Sequence, residues 1–506
     1  MSISSFEKFD PKTSLVLANY KDYSAEEVLQ IVSNSKLASK SWQRLGFKGR
    51  KKILTSWAKQ LSENIEELAS LLAQETGKPI SDAKLEVSLA ISHLTWATKH
   101  APEVLATQRR APGLLMFNMK SYVQREPFGC VGVIGPWNYP VFTPMGSIVY
   151  ALAAGNTVVF KPSEFTPGCG KWLADSFAKI APFDFIFTTV TGKPQTGIAL
   201  TQSSVDKISF TGSTRTAKKV AAACAERMIP VILECGGKDP VLVAADADLK
   251  LAAEYTLWSA MANAGQSCIG AERVYVVEQV AEKFIATISE MAKKLKVDEQ
   301  YGPATMPSQL NVIQDHINDA AEKGAKFVVG GTDSVKAPFV EPVIMIDVPE
   351  NSSAMTEETF GPTLAINKVE NIEQAIELSN RSKYGLAAAV FSKRNGEKIA
   401  AKLTCGMVSV NSVFSFAAIS SVPFGGVKDS GSGRIHGPEG LLEFTFARTI
   451  VKTRFQIPLK FTTFKRTKFS DNFLIKLITF SKFKNFYNLN IYVEPFDLTV
   501  FNFLFN

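Results

Sequence analysis

Along residues 130–235, short apolar runs alternate with stretches of helical spacing. The runs at 131–134, 157–160, 185–190, 207–210 and 231–233 have the length and bulk of buried strands. Between them, residues near 145–153, 167–180, 194–201 and 214–228 repeat their apolar positions at helical intervals. This alternation predicts a parallel, doubly wound α/β sheet, whose ligands sit at the carboxyl ends of the strands. A second series starts at Pro240, with strands near 240–244, 273–277, 326–329, 364–369, 388–391 and 407–410 and helices at 249–262, 278–295 and 371–380. It predicts a second α/β domain. Upstream, Ser24 and Glu27 form a capping-box signal ahead of Val28, Ile31 and Val32, and two longer helical patterns cover 49–76 and 81–106. Residues 109–126 are looser and strand-like at 121–124, so they read as an excursion. Leu441–Val451 closes the regular part.

Each strand of the first series runs into polar or glycine-bearing residues. These are Gly135-Pro136-Trp137-Asn138, Lys161-Pro162-Ser163-Glu164, Thr191-Gly192-Lys193, Thr211-Gly212-Ser213-Thr214 and Glu234-Cys235-Gly236-Gly237. Taken singly, such loops are turns. Five on one sheet edge predict a site.

Composition narrows the class. A chain of 506 residues, 46% apolar and 21% charged, fits a globular protein of two or three domains. The formal charge of +8 is divided evenly: residues 455–506 hold seven Lys/Arg against three Asp/Glu, which leaves +4 for the other 454 residues. Nucleic acid is therefore not an expected partner. The six cysteines include no C-x-x-C pair and the four histidines have no metal-ligand spacing, so neither a metal site nor a disulfide framework is expected. With neither a presequence pattern at the start nor an apolar run of roughly 18 residues, the expected location is cytoplasmic. Residues 455–506 stand apart, with 12 of the 35 phenylalanines. A membrane-surface anchor is one reading of this basic, Phe-rich tail. A poorly ordered appendage is the favoured one, and translated non-coding sequence is a third.

For chemistry, Cys268 lies in Ala264-Gly265-Gln266-Ser267-Cys268-Ile269-Gly270, after a helical pattern, and Glu234 ends a buried strand. A thiol and a carboxylate on separate chain breaks suit a nucleophile and a base, but a packed cysteine and a surface glutamate fit the spacing equally. No G-x-G-x-x-G is present. Gly212 and Ser213 nevertheless open a helix whose free N–H groups suit a phosphate, although most such helix starts are only caps.

Taken together, the motifs resemble those of the NAD(P)-dependent aldehyde dehydrogenase superfamily from about residue 20 to residue 452. The matching blocks are 135–140, 155–164, 210–214, 233–238, 265–268, Glu357-Glu358-Thr359-Phe360-Gly361-Pro362 and Pro423-Phe424-Gly425-Gly426, all in family order. The resemblance implies a Rossmann-like NAD-binding domain (1–108 and 128–235), a catalytic domain (236–439) and a small β oligomerisation arm (109–127 and 440–454), with 455–506 as an atypical tail. It implies Cys268 as nucleophile, Asn138 and the Cys268 N–H as oxyanion donors, and Glu234 as the base that activates water. Loop position, helix N–H groups and the cofactor should favour the thiolate. Lys161, Ser163 and Glu164 would hold the adenosine end of the cofactor, Gly212 and Ser213 the pyrophosphate, and Trp137, Glu358 and Phe360 the nicotinamide end. Glu164 favours NAD, with NADP as the alternative.

The implied reaction is oxidation of a small-molecule aldehyde to a carboxylic acid by a homodimer or homotetramer. The rival readings are a cofactor-independent thiol esterase and a non-catalytic family member. Residues near Met145, Ser267, Ile269 and Phe414–Phe416 should line the substrate path, and they favour medium-chain or aromatic aldehydes. Two departures stand out: Ala217 replaces the last glycine of the helix-opening motif, and the tail has no counterpart in the family.

Overall fold

A computed structural model of the protein describes residues 4–457 and 463–483. One compact unit takes in the chain up to Ala106 together with Arg125–Phe446, and a second takes in Thr107–Gln124 and the chain from Ala447 onward.

The first unit carries two large sheets. The six-stranded sheet has the order 431–432, 231–234, 207–211, 130–134, 157–161, 187–189. Its strands are parallel except for Gly431–Ser432, which pairs antiparallel with Leu233 and Glu234. The chain starts this parallel series at Cys130–Ile134, builds outward on one side through 157–161 and 187–189, then returns to the other side at 207–211. The strand order therefore reverses beside Cys130–Ile134. At such a reversal the loops diverge and leave a crevice. The loops beginning at Gly135 and Gly212 open on it.

The seven-stranded sheet has the order 326–329, 343–346, 363–369, 271–277, 239–243, 387–391, 407–410. Only Lys326–Val329 runs antiparallel to its neighbour. Each sheet is thus mixed at one edge and parallel elsewhere, as the first series predicts for all but its edge strand. Short returning segments explain both exceptions. A small third sheet orders 445–453, 119–127 and 108–110, which gives the excursion at 109–126 its strands.

Most expected elements form within a few residues of their predicted bounds, and the Ser24–Glu27 capping box is complete. The single helix expected over 49–76 is two, Gly46–Glu63 and Ile65–Thr76. Asn64 divides them: its backbone N–H and its side-chain amide both donate to the Gln60 carbonyl, at 3.1 and 2.7 Å. Asn competes for main-chain partners in this way and so interrupts helices. The hairpin Ser5–Phe9/Val16–Lys21 is an addition to the predicted elements. Its turn is held by the Asp10 carboxylate, which accepts from Lys12 N and Thr13 N at 2.7 and 3.2 Å. Gln309–Glu322 and Val343–Ile346 are further additions. In the tail, where no regular element is expected, Lys468–Phe483 is helical. Residues 458–462 and 484–506 lie outside the described residues.

Helix packing fixes the mouth of the first sheet. Trp57 meets Phe177 edge-on at 5.1 Å in a core shared with Trp42 and Phe187. Buried Glu75 accepts from Gly168 N and Cys169 N at 2.8 and 2.9 Å, satisfying the start of the helix Pro167–Ala178 just beyond the 161–164 loop. Among the described residues no helix is long and apolar enough to cross a membrane.

Candidate active site

Cys268 follows a strained turn. The helix Leu249–Met261 ends in a short tight turn in which Asn263 and Ala264 adopt φ of 54° and 55°. Left-handed backbone costs a non-glycine residue about 1–2 kcal/mol, so the surroundings must enforce it. Side-chain amides do so. Gln266 Nε2 donates to Asn263 O (2.8 Å) and Pro303 O (3.2 Å), while its Oε1 accepts from Thr305 N (2.8 Å). Gly265, at φ +69°, has no room for a side chain, since a Cβ would stand 2.1 Å from Gly361 O.

Asn138 is buried beside this turn. Its Nδ2 donates to Gln266 O at 3.0 Å, and its own main-chain carbonyl accepts from Asn263 Nδ2 (3.1 Å) and Lys78 Nζ (2.9 Å). Lys78 also pairs with Glu86 at 2.6 Å, and both side chains are 1% exposed. Glu86 in turn accepts from Val141 N and Phe142 N at 2.9 and 3.1 Å, at the start of the helix Phe142–Ala154. Sequence reasoning assigned neither Lys78 nor Glu86. They lie on different elements, and Gly77-Lys78-Pro79 reads only as a helix stop.

Glu234 ends its strand with both carboxylate oxygens buried and without a hydrogen-bond partner. Burial drives its pKa well up and nearby Glu443 adds to this, while Arg434 opposes. Gly425 lies against it, so close that a Cβ there would stand 2.8 Å from Glu234 Oε1. Glu358 is the next carboxylate: Gly237 N donates to it at 3.2 Å, yet burial and Glu272 push its pKa up to about 8. Gly236 makes room for it, since a Cβ there would stand 2.1 Å from Glu358 Oε2.

The residue Cys268 is partly exposed, but its thiol pKa is raised, first by burial and then by Glu358, Asp239 and Glu234. The backbone N–H of Cys268 pulls the other way. In the protein alone, then, the expectation that loop and helix N–H groups favour the thiolate is reversed, because desolvation and three carboxylates outweigh one N–H.

The remaining candidates lie at or just after the ends of strands in the six-stranded sheet, except Phe360, which precedes the strand Thr363–Val369. Trp137 and Phe360 meet edge-on at 5.4 Å and 85°. Phe360 has φ 53°, and its N–H donates to Glu272 at 2.9 Å. Glu272 also takes Thr359 N and pairs with buried Lys238, so the 358–360 segment is fixed from below. Lys161 is nearly buried and pairs with Glu164 at 3.2 Å. Ser163 accepts from Phe165 N at 3.3 Å and shapes the same loop. Ser213 caps the helix Thr214–Ala225 by accepting from Thr216 N, with Gly212 just ahead of it. Ala217 is buried against the sheet and leaves that helix intact. The structure thus brings Glu234 and Glu358 within charge range of Cys268, with Asn138 braced against the Cys268 turn. It sets Lys161, Ser163, Glu164, Gly212 and Ser213 on the edge loops of the adjoining sheet. Among the described residues no group of three or more His, Cys, Asp or Glu could hold a metal ion.

The model of the "Aldehyde dehydrogenase family" matches residues 1–450. The chain belongs to that family. This dehydrogenase is 36% identical over 439 residues to a 4,4'-diapolycopene aldehyde oxidase of Methylomonas sp, covering 85% of this chain and 82% of the relative. Two solved structures are similar throughout. One is an NAD+ complex of an aldehyde dehydrogenase from Bacillus cereus (30% identity, TM-score 0.85, 89% of this chain and 93% of that one). The other is an NADP-dependent glyceraldehyde-3-phosphate dehydrogenase from Bacillus halodurans complexed with NADP (33%, 0.84, 89% and 96%). The protein is accordingly an aldehyde dehydrogenase, an oxidoreductase using NAD or NADP.

Two stability predictions follow from the buried charges of this dehydrogenase. Lys78→Met leaves Glu86 charged and unpaired, and denaturant unfolding should show a loss of about 3–5 kcal/mol. Glu234→Gln should stabilise. Its folded pKa is raised, so the folded state holds the proton more tightly, and stability falls as pH rises from the unfolded towards the folded value. Between those two values the variant should gain roughly 1.4 kcal/mol for each pH unit above the unfolded carboxylate pKa. The gain should grow with pH and vanish in acid. Equal stabilities at every pH would show that the carboxylate is not desolvated.

Proposed function

We propose that the protein oxidises an apolar aldehyde to its carboxylic acid, with Cys268 as nucleophile, Asn138 as oxyanion donor and Glu234 as base. The observation that carries this reading is the carboxylate of Glu234, buried, unpartnered and close enough to raise the Cys268 thiol. Cys268 adds to the aldehyde carbonyl, and the oxygen becomes an oxyanion. The braced amide of Asn138 and the Cys268 N–H are the donors suited to it, and losing one such donor costs about 2.7–4 kcal/mol of barrier. The carbon then gives up hydride and becomes a thioester on Cys268. Glu234 takes a proton from water as the water attacks, releasing the acid and restoring the thiol. A carboxylate with a raised pKa is suited to that step. Transfer of the acyl group to coenzyme A has less need of this base, so a free acid is the favoured product.

The residues present fit a dinucleotide. The Ser213-capped helix start suits a pyrophosphate, the Lys161–Glu164 pair suits ribose hydroxyls, and Trp137, Phe360 and Glu358 suit the nicotinamide end. Bound there, NAD or NADP accepts the hydride. Glu164 favours NAD, since a carboxylate repels a 2′-phosphate. One of the two solved relatives is bound to each cofactor, so both belong in the assay.

Substrate character is supported by the surroundings of Ile269. A small cavity of about 10 Å³ lies among Asp239, Ser259, Ile269, Val413, Phe414 and Phe416, and most of its lining is apolar. Arg434, one of the two arginines near the site, is engaged with the Gly426 and Gly433 carbonyls. Arg273 donates from Nε to Lys238 O and from Nη1 to the Tyr275 hydroxyl, and its Nη2 is buried with no hydrogen-bond partner. The apolar residues near Ile269 favour medium-chain or aromatic aldehydes. The division into cofactor, catalytic and arm segments, and assembly as a homodimer or homotetramer through the sheet of 108–110, 119–127 and 445–453, belong to the same proposal.

An aldehyde panel with each cofactor, followed by nicotinamide absorbance, tests the reading. Activity should disappear in Cys268→Ala. On the acid side, kcat should fall as pH drops through the raised pKa of Glu234, above the ordinary carboxylate range of about 4. Ester cleavage without any reduced cofactor would instead support the thiol esterase reading.

A further inference from the structure

We propose that the helix Lys468–Phe483 docks the enzyme on an anionic phospholipid surface, lying in the interface without crossing it. The first observation is that the helix is a built element. Thr467 Oγ1 accepts from Ser470 N at 3.2 Å while Ser470 Oγ accepts from Thr467 N at 3.0 Å, a reciprocal cap. A tail with no structural role has no reason to carry a closed helix start.

The second observation is what the helix and its lead-in expose. Phe464, Phe469 and Ile475 are 110%, 68% and 62% exposed, within twelve residues of chain. Large apolar side chains at that density mark an interaction surface. Lys465, Arg466, Lys468 and Lys476 are exposed among them, and Asp471, the only acid of this stretch, is drawn to Arg466 at 3.7 Å. The charge complement is therefore anionic. Apolar side chains flanked by lysines fit the boundary between headgroups and acyl chains, where the rings bury and the ammonium groups stay wet. A protein partner's groove would want the apolar positions without so many cations among them. Within the described residues the helix spans 16 residues, about 24 Å at 1.5 Å per residue against a bilayer core of about 30 Å. Lying flat suits that length and the lysines among its apolar positions.

The test is flotation of the full-length enzyme with vesicles of phosphatidylcholine alone and of phosphatidylcholine mixed with phosphatidylglycerol. The enzyme should float with the mixed vesicles, and added salt should release it. Lys468→Gln with Lys476→Gln should weaken binding roughly 25-fold, about fivefold per charge. Phe469→Ser with Ile475→Ser should weaken it by about tenfold or more. Aldehyde oxidation in the absence of vesicles should be unchanged in both variants, which verifies that they fold. Failure to float, or equal binding of both variants and the parent, overturns the proposal. So does a serine variant that changes only the oligomer size seen by light scattering, because the face would then be covered by a second copy of the chain. Loss of aldehyde oxidation in the parent bears on the catalytic reading alone, since flotation does not depend on it.

Discussion

Several carboxylates are held out of water around one thiol, and the rest of the site is arranged to tolerate this. Glu234 has no hydrogen-bond partner, Glu358 has one N–H from Gly237, and Asp239 keeps one oxygen unpartnered. Left to themselves, such groups take up protons. Burial raises the pKa of each, and each also raises the Cys268 thiol. A positively charged nicotinamide held by Trp137, Glu358 and Phe360 would act against that shift.

Such a site needs rigid support, which comes from interactions that are satisfied where the catalytic groups are not. Lys78 and Glu86 bridge the end of one helix, the Asn138 carbonyl and the start of another. Gln266 uses both amide donors and its acceptor to hold the left-handed turn before Cys268. Lys238 and Glu272 do the same beneath Phe360.

The sheet series and its loops were legible because buried strands read as continuous apolar runs ending in polar breaks. Strand order was not, and the crevice beside Cys130–Ile134 exists only because the order reverses there. The edge strand Gly431–Ser432 is two residues of glycine and serine with no strand signal, yet it lines the flank of Glu234. Asn64 was readable in hindsight, as a residue that competes for main-chain partners inside a long helical pattern. Lys78 and Glu86 were not, because a buried ion pair between elements leaves no periodicity. The thiol failed differently: its residues were found, but the sign of its pKa shift depends on burial and on charges brought in from other strands.

The proposed turnover depends on Glu234 activating the water that hydrolyses an acyl group carried by Cys268. Intact-protein mass spectrometry of Glu234→Gln after a single addition of aldehyde and NAD tests it directly. The expected result is a stable adduct on Cys268 equal to the aldehyde less two hydrogens, formed with one equivalent of NADH and no further turnover. Continued turnover with an unmodified Cys268, or an adduct that forms without NADH, would contradict it.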